Sequence, residues 1–394
     1  MKDGTQIPKG YKQAEVGVIP QDWQVIDMLQ LCTLQRGFDI TEITRVPGTV
    51  PVYSSSGISY YHNKAMINPP GVVTGRKGLL GKVFLINEPF WPHDTTLWVK
   101  DFRGNDPAFV ALVLQHFHLE RLDAATSVPT LNRNNLSGYR VAIPATKAEQ
   151  EAIAGALSDA DALIESLEQL LTKKRQLKQG SVQQLLTGIT RLPGFSGEWE
   201  AKRLGRLGVF VKGKGVTREQ SISGSLACVR YGEIYTQHND YIRMFHSWIS
   251  RDVASTATLL KQGDILFAGS GETKDEIGKC VALVDDVEAY AGGDIVILRS
   301  EDADPLFLGY YLNTAPINQQ KASRGQGDAV VHIGAAALAD IQGTFPPLAE
   351  QTAIAAILSD IDAEITALED KLAKACNLKQ GMMQELLTGR TRLV

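Results

Sequence analysis

A long segment of this 394-residue chain occurs twice. Residues 149–192 match residues 350–393 at a constant offset of 201 without a gap, with 27 identities in 44 positions. Glu149-Gln150 returns as Glu350-Gln351, Leu157-Ser158-Asp159 as Leu358-Ser359-Asp360, and Leu177-Lys178-Gln179-Gly180 as Leu378-Lys379-Gln380-Gly381. Leu185-Leu186-Thr187-Gly188 returns as Leu386-Leu387-Thr388-Gly389. A repeat of this fidelity marks a tandem duplication. Its apolar residues fall at Ile153, Leu157, Ala160, Ile164, Leu167 and Leu171, and at Ile354, Leu358, Ile361, Ile365, Leu368 and Leu372. Steps of four and three residues in alternation form a coiled-coil seam. No proline interrupts either copy before its Thr-Gly, where Gly188 and Gly389 suit a left-handed C-cap. Each copy therefore predicts one helix of about 40 residues, roughly 60 Å long. So narrow an apolar stripe needs a partner, and residues 193–349 leave room for the two copies to meet antiparallel. Past the seam, Lys173-Lys174-Arg175 predicts a charged end facing solvent, a partner or a polyanion.

A chain of this length predicts two to four units at about 100–200 residues each. A hydrophobic share of 44% with 21% charged residues fits a soluble protein. No apolar run reaches the about 18 residues that a membrane span needs, and Met1-Lys2-Asp3-Gly4-Thr5 lacks a signal pattern. The expectation is a cytoplasmic protein. Cys32, Cys228, Cys280 and Cys376 lie far apart without metal-binding spacing and read as small buried or half-buried hydrophobes. Net charge is −4, with +3 over residues 1–147 and −4 over residues 193–347. Composition alone thus argues mildly against nucleic acid, where cations usually supply much of the affinity. If DNA is the ligand, a basic partner must hold part of its backbone.

The segments between the repeats also look like diverged copies. Trp23, Leu29 and Gln35-Arg36-Gly37-Phe38-Asp39-Ile40 parallel Trp199, Leu204 and Val211-Lys212-Gly213-Lys214-Gly215-Val216. Gly81-Lys82-Val83 parallels Gly278-Lys279-Cys280, and Asp106-Pro107-Ala108-Phe109 parallels Asp304-Pro305-Leu306-Phe307. Short apolar or alternating runs at residues 71–74, 82–86 and 263–267, bounded by Gly, Pro and Asp, predict strands. One helix per head is expected near residues 109–118 and 306–312. The fold class is α+β: two mixed-sheet heads joined by two long helices in an antiparallel coiled coil, as a pseudo-two-fold tandem repeat. The divisions are residues 1–147, 148–192, 193–347 and 348–394.

A Trp-led start, a variable sheet domain, and a long helix after Glu-Gln that ends Leu-Leu-Thr-Gly, all occurring twice, resembles the specificity subunit of type I restriction-modification systems. The residues that carry the resemblance are Gly17-Val18-Ile19-Pro20-Gln21-Asp22-Trp23, Leu192-Pro193-Gly194-Phe195-Ser196-Gly197-Glu198-Trp199, Pro346-Pro347-Leu348-Ala349-Glu350-Gln351 and both helices. It implies that each head is a target-recognition domain reading one half of a bipartite, asymmetric site on double-stranded DNA. It implies that the helices set the spacing and dock two methyltransferase subunits, that two nuclease/translocase subunits can join, and that this chain performs no chemistry. No cofactor is then expected here, S-adenosylmethionine belonging to the methyltransferase. Ala145-Thr146-Lys147-Ala148 departs from Pro347-Leu348-Ala349 of the second copy and predicts a less rigid first hinge.

Two motifs suggest other chemistry. Asn68-Pro69-Pro70-Gly71 resembles the Asn-Pro-Pro-aromatic motif of amino-methyltransferases, with Gly in place of the aromatic; a turn is the simpler reading. Asp264, Glu272 and Lys274 resemble part of a metal-dependent nuclease site, against an ordinary charged loop. No phosphate-binding Gly-x-x-x-x-Gly-Lys-[Ser/Thr] motif occurs, so an ATP motor is not expected. Base reading needs polar side chains on loops between the shared landmarks. Candidates are Tyr53, Ser54, Ser55, Ser56, Arg76, Lys77, Thr130, Asn132, Arg133 and Asn134 in the first head, and Arg230, Tyr231, Ser270, Thr273, Lys274, Arg324 and Gln326 in the second. Lys82 and Lys279, each beside a shared Gly, could serve phosphates or the fold.

Overall fold

The computed structural model describes residues 7–123, 128–327 and 330–393. The chain divides into two compact units, Met1–Gln169 with Glu369–Val394, and Leu170–Leu368.

The first unit opens with a hairpin, β1 (Tyr11–Ala14) and β2 (Gly17–Pro20), followed by β3 (Gln24–Asp27), α1 (Met28–Leu31) and β4 (Thr33–Arg36). Then come β5 (Val50–Ser54), β6 (Gly57–His62), β7 (Gly71–Gly75), β8 (Val83–Ile86), β9 (Trp91–Pro92) and β10 (Thr96–Asp101). Helix α2 (Pro107–His116), strand β11 (Arg140–Ile143) and the long helix α3 (Lys147–Leu185) complete the series. The main sheet runs β4-β10-β7-β8, beside a smaller sheet β6-β5-β9. Every residue of β7 is buried, as expected of a central strand. Asp106 caps α2 by accepting from the Phe109 N–H, and Pro107 sits in the first turn, where its missing N–H costs nothing.

The second unit contains β12 (Glu200–Arg203), β13 (Gly208–Lys212), β14 (Leu226–Val229), α4 (Tyr231–Thr236), β15 (Ser247–Ile249), α5 (Arg251–Ala254) and β16 (Thr258–Leu259). It continues with β17 (Ile265–Ala268), β18 (Ser270–Gly271), β19 (Cys280–Ala282), β20 (Ala289–Ala291), β21 (Ile295–Ser300), α6 (Pro305–Tyr311) and α7 (Ala315–Arg324). Last are β22 (Val331–His332), α8 (Ala335–Ala339), β23 (Gln342–Phe345) and the long helix α9 (Leu348–Leu386). Its main sheet, β13-β21-β17-β19, repeats the order of the first unit's. Asp304 caps α6 as Asp106 caps α2. Helix α7 had no signal in the landmark comparison.

Helices α3 and α9 are both 39 residues long, and each begins in one unit and ends in the other. Within each unit they pack antiparallel. Lys379 pairs with Asp161 in the first unit, and Lys178 with Asp362 in the second. The two pairs are related by the 201-residue offset, 178 to 379 and 161 to 362. Ion pairs at matched heights set an antiparallel register that apolar steps leave free to slide.

The junctions of head and helix obey the same offset. Glu149, in the first turn of α3, is buried and receives two bonds from Arg392, at 2.7 and 2.8 Å. Trp23 donates its indole N–H to the same carboxylate at 3.3 Å. In the second unit the buried Glu350 receives Arg191 through two bonds of 2.6 Å. A carboxylate at a helix N-terminus is favoured by the unpaired N–H groups there, and a guanidinium fork satisfies its outer oxygens. Gly389 and Gly188 end the helices with φ of +72° and +70°. A Cβ on Gly389 would stand 2.5 Å from Pro20, so both backbone geometry and space demand glycine. Residues 145–148 of the first hinge hold no proline, and Thr146 ties them to the helix, its hydroxyl accepting from the Glu149 N–H at 3.3 Å.

The apolar stripe of each helix divides its work. Ile153 and Leu157 belong to the core of the first unit, with Trp23, Phe109, Leu386 and Leu387. Ile354 and Leu358 belong to the core of the second, with Phe307, Phe345, Leu185 and Leu186. Leu171 and Ile361 are buried, whereas Ala160, Ile164, Leu167, Ile365, Leu368 and Leu372 are half-buried. Cys32, Cys228 and Cys280 are buried, with burial pushing each thiol up to about 12, and Cys376 is exposed on α9.

In the second unit Lys178 lies 3.2 Å from Asp240 and 2.9 Å from Asp362. Asp362 also accepts from the Tyr310 hydroxyl at 2.7 Å and faces Arg243 at 3.4 Å. Burial holds the Asp240 carboxyl above its ordinary range, with Lys178 pulling it back. Lys178→Met is expected to destabilise this unit toward the lower end of the ~3–5 kcal/mol seen when a buried pair loses one partner, because Lys178 is partly exposed. A carboxyl whose pKa is raised by folding adds stability at low pH and loses it as pH rises through the folded value. Without the ammonium Asp240 shifts further up, so the deficit should be largest near neutral pH and shrink through the acid range. Thermal unfolding at about pH 7 and about pH 5 tests this; equal deficits at both would count against the buried carboxylate as the cause.

Candidate nucleic-acid interface

In the first unit the chain leaves β7 as Arg76-Lys77-Gly78 and is pinned on both sides. The Arg76 and Lys77 N–H groups donate to the Thr95 carbonyl at 2.8 and 3.1 Å. Leu131 N–H donates to Arg76 O at 2.8 Å, Gly78 N–H to Pro129 O at 2.9 Å, and Lys77 bridges Thr130. The hairpin tip between β5 and β6 lies alongside, the Ser55 hydroxyl close to Gly78. Ser54 bonds Ser56 across this tip at 3.0 Å. Ser54, Ser55, Ser56, Arg76, Lys77 and Thr130 are therefore gathered on adjoining turns.

Next to them opens a cleft of about 530 Å³, lined by Gln35, Arg36, Gly37, Phe38, Asp39, Arg76, Leu97, Thr130, Leu131, Asn132 and Arg133. Asn132 starts a short turn by accepting from the Asn134 N–H at 3.0 Å, and Arg133 reaches the Leu34 carbonyl at 3.2 Å. Asn134 is exposed beside them. Tyr53 differs: its ring packs against Phe84 and Phe90, at centroid distances of 5.7 and 6.0 Å, and burial raises its hydroxyl pKa. Lys82 is exposed, outside the cleft lining.

The second unit builds the same ladder with different side chains. Gly269 N–H donates to Asp294 O at 2.7 Å and Ile333 N–H to Gly269 O at 2.9 Å, as Arg76 and Leu131 do in the first unit. Strands β18 and β22 place Ser270 opposite His332, with Ser270 Oγ and His332 Nδ1 2.8 Å apart. Gln326 bonds His332 through both backbone groups, and the Tyr235 hydroxyl donates to Ser270 O at 3.1 Å. Gly37 and Gly213 are likewise equivalent, bonding Thr96 O and Ile295 O. Thus Arg36 matches Lys212, Arg76 matches Gly269, Lys77 matches Ser270, and Thr130 matches His332.

The remaining candidates of the second head scatter. Thr273 and Lys274 are on an exposed loop, and Tyr231 is exposed at the start of α4 after the half-buried Arg230. Lys279 is committed to the fold: its ammonium donates to Tyr235 O and His238 O at 3.3 and 2.7 Å, and burial lowers its pKa. Arg324 closes the end of α7 on Gln320 O at 2.9 Å.

Sequence reading missed Arg36 and His332. Arg36 sits beside Gly37 in a stretch read as shared framework, and His332 falls where the heads share no landmark. The two motifs of other chemistry have structural explanations. A Cβ on Gly71 would meet the Phe90 ring at 2.2 Å, so packing requires the glycine. Asp264 is buried, binds Arg299 at 3.0 Å and accepts from the Lys261 N–H at 2.9 Å, which engages both its oxygens.

Two α+β units with a common backbone ladder, different polar side chains on it, and paired long helices define a tandem repeat of one domain type. The family model for the type I restriction modification DNA specificity domain matches residues 20–178 and again 198–376. The chain belongs to that family, and it carries the domain twice. It is 24% identical over 307 residues to the type I restriction enzyme MjaVIII specificity subunit of Methanocaldococcus jannaschii, covering 72% of this chain and 70% of that one. To the putative MjaX specificity subunit of the same organism it is 22% identical, covering 98% and 97%. Among solved structures, the S subunit of a type I restriction-modification system from M. genitalium superposes with a TM-score of 0.64 at 16% identity, over 92% of this chain and 96% of that one. A chain from a study of complex assembly and conformational transition of the type I R-M system gives 0.53 at 16% identity, over 95% and 99%. These likenesses establish the fold. Among the described residues, no helix is long and apolar enough to cross a membrane.

Proposed function

We propose that this chain is the cytoplasmic, non-catalytic DNA-recognition subunit of a type I restriction-modification complex. Residues 1–147 and 193–347 each read one half of a bipartite, asymmetric site on double-stranded DNA. The observation that carries this reading is the shared ladder with unlike side chains: Lys77 and Thr130 in one unit, Ser270 and His332 in the other. A common frame positions the duplex the same way twice, and different donors and acceptors on it select different bases.

The paired helices set the gap between half-sites and dock two methyltransferase subunits, which supply S-adenosylmethionine chemistry and cations for the DNA backbone. Two nuclease/translocase subunits can join them. Docking is supported within the second unit by Leu170 and Leu177, seven residues apart on α3 and 41% and 52% exposed, a spacing suited to another helix. Methylome sequencing of cells that express this chain with its cognate methyltransferase is expected to show one new split motif with unlike halves. An active complex that adds no motif, or a palindromic one, overturns the reading.

A further inference from the structure

At the cleft of the first unit two guanidiniums share one carboxylate. Asp94 stands 3.2 Å from Arg36 Nη2 and 3.9 Å from Arg76 Nη2. The Arg76 Nε–H donates to the Asp94 carbonyl at 2.8 Å. Arg36 is further held by Asp39 at 2.7 Å, and Asp94 also lies 2.9 Å from His93 Nδ1. The Arg76 backbone is fixed by its bonds to Thr95 and Leu131. Its side chain is only 24% exposed, so it is not a freely swinging surface cation. Among the described residues, Arg76 Nη1 has no protein partner.

We propose that Arg76, positioned by Asp94, reads a guanine in the first half-site, with Arg36 beside it in the same cleft. The inference rests on the function proposed above and specifies the base class that one ladder position recognises. Guanine alone presents two acceptors, O6 and N7, side by side in the major groove, and a guanidinium meets both with parallel N–H groups. A long side chain normally loses rotamer freedom when it binds. Here the contacts to Asp94 have already restricted it, so less freedom remains to be lost.

Asp94 also keeps a negative charge beside both arginines, which weakens them as simple phosphate clamps and leaves directional hydrogen bonding as their main use. The second unit cannot repeat the contact. Gly269 stands where Arg76 does, and Lys212, with a point charge instead of a fork, stands where Arg36 does. A guanine at this ladder position is therefore a property of one half-site only.

Arg76→Lys in the full complex with the methyltransferase separates base reading from charge, because lysine keeps the cation and loses the fork. The expected result is that one guanine of one half-site becomes tolerant to substitution. Preference there should fall roughly 10- to 100-fold, while the other half-site stays unchanged. Asp94→Asn should weaken the same position without moving any other. A wild-type split motif whose affected half retains its guanine in Arg76→Lys overturns the proposal. So does a uniform loss of binding to all sequences with a reduced salt slope in Arg76→Ala that Arg76→Lys restores, the signature of a phosphate contact. Failure of the wild-type complex to show any split motif instead refutes the underlying function. The thermal midpoint of Arg76→Lys, expected to match wild type, separates lost reading from lost folding.

Discussion

Leu358→Asp is expected to unfold the second unit, whereas Leu368→Asp, ten residues further along the same helix, should leave it folded. Leu358 is fully buried among Phe307, Phe345, Ile354 and Leu186. Deleting such a side chain alone costs about 2–5 kcal/mol, and an unpaired carboxylate in its place adds several more. The sum rivals the ~5–15 kcal/mol that holds a domain folded. Leu368, and its repeat partner Leu167, are half-buried, so an aspartate there reaches water. Its effect falls on the helix pair: methylation by the complex should be abolished while each unit keeps its melting transition. Calorimetry and a methylation assay on the two variants separate these outcomes. Full activity with normal methyltransferase binding in Leu167→Asp would show the seam to be misassigned.

The second large effect concerns spacing. Four residues inserted at matching heights in both long helices add roughly 6 Å at 1.5 Å per residue. At about 3.4 Å per base pair this is near two base pairs. The methylated motif of the variant is expected to keep both halves and lengthen its gap by one or two positions. Identical halves with an unchanged gap, in a variant that still methylates, would refute the helices as a ruler. The prediction is sharp because the register does not depend on apolar packing alone. Lys178–Asp362 and Lys379–Asp161 lock the helices at heights related by the duplication, so matched insertions should preserve the pairs that an insertion in one helix would break.

The long helices were legible in the sequence because an α-helix writes its period locally: alternating steps of four and three, with Gly188 and Gly389 as stops. The division of the stripe was not legible. Ile153 and Ile164 look alike as seam positions, yet one joins a head core and the other stays half-buried, because each head core takes in the first turns of one helix and the last turns of the other and stops short of Ile164. Polar loop residues were harder still. Arg76, Thr130 and Asn132 were singled out by residue type and meet at one cleft, but the same reasoning picked Lys279, whose ammonium is used by two backbone carbonyls, and Tyr53, whose ring is part of a small aromatic core.

By itself the sequence determined that the chain is a duplication, that each copy ends in one long helix, and that the two heads share a framework with unlike loops. These properties reside in periodicity and spacing, which neighbouring residues impose on one another. Tertiary structure alone decided that Arg36, Arg76 and Asp94, spread over 59 residues of sequence, converge on one cleft. It also decided that Ser270 and His332, 62 residues apart, take the equivalent ladder position in the other head. Both groupings arise from backbone hydrogen bonds between distant segments, and a pairing of that kind leaves no periodic trace along the chain.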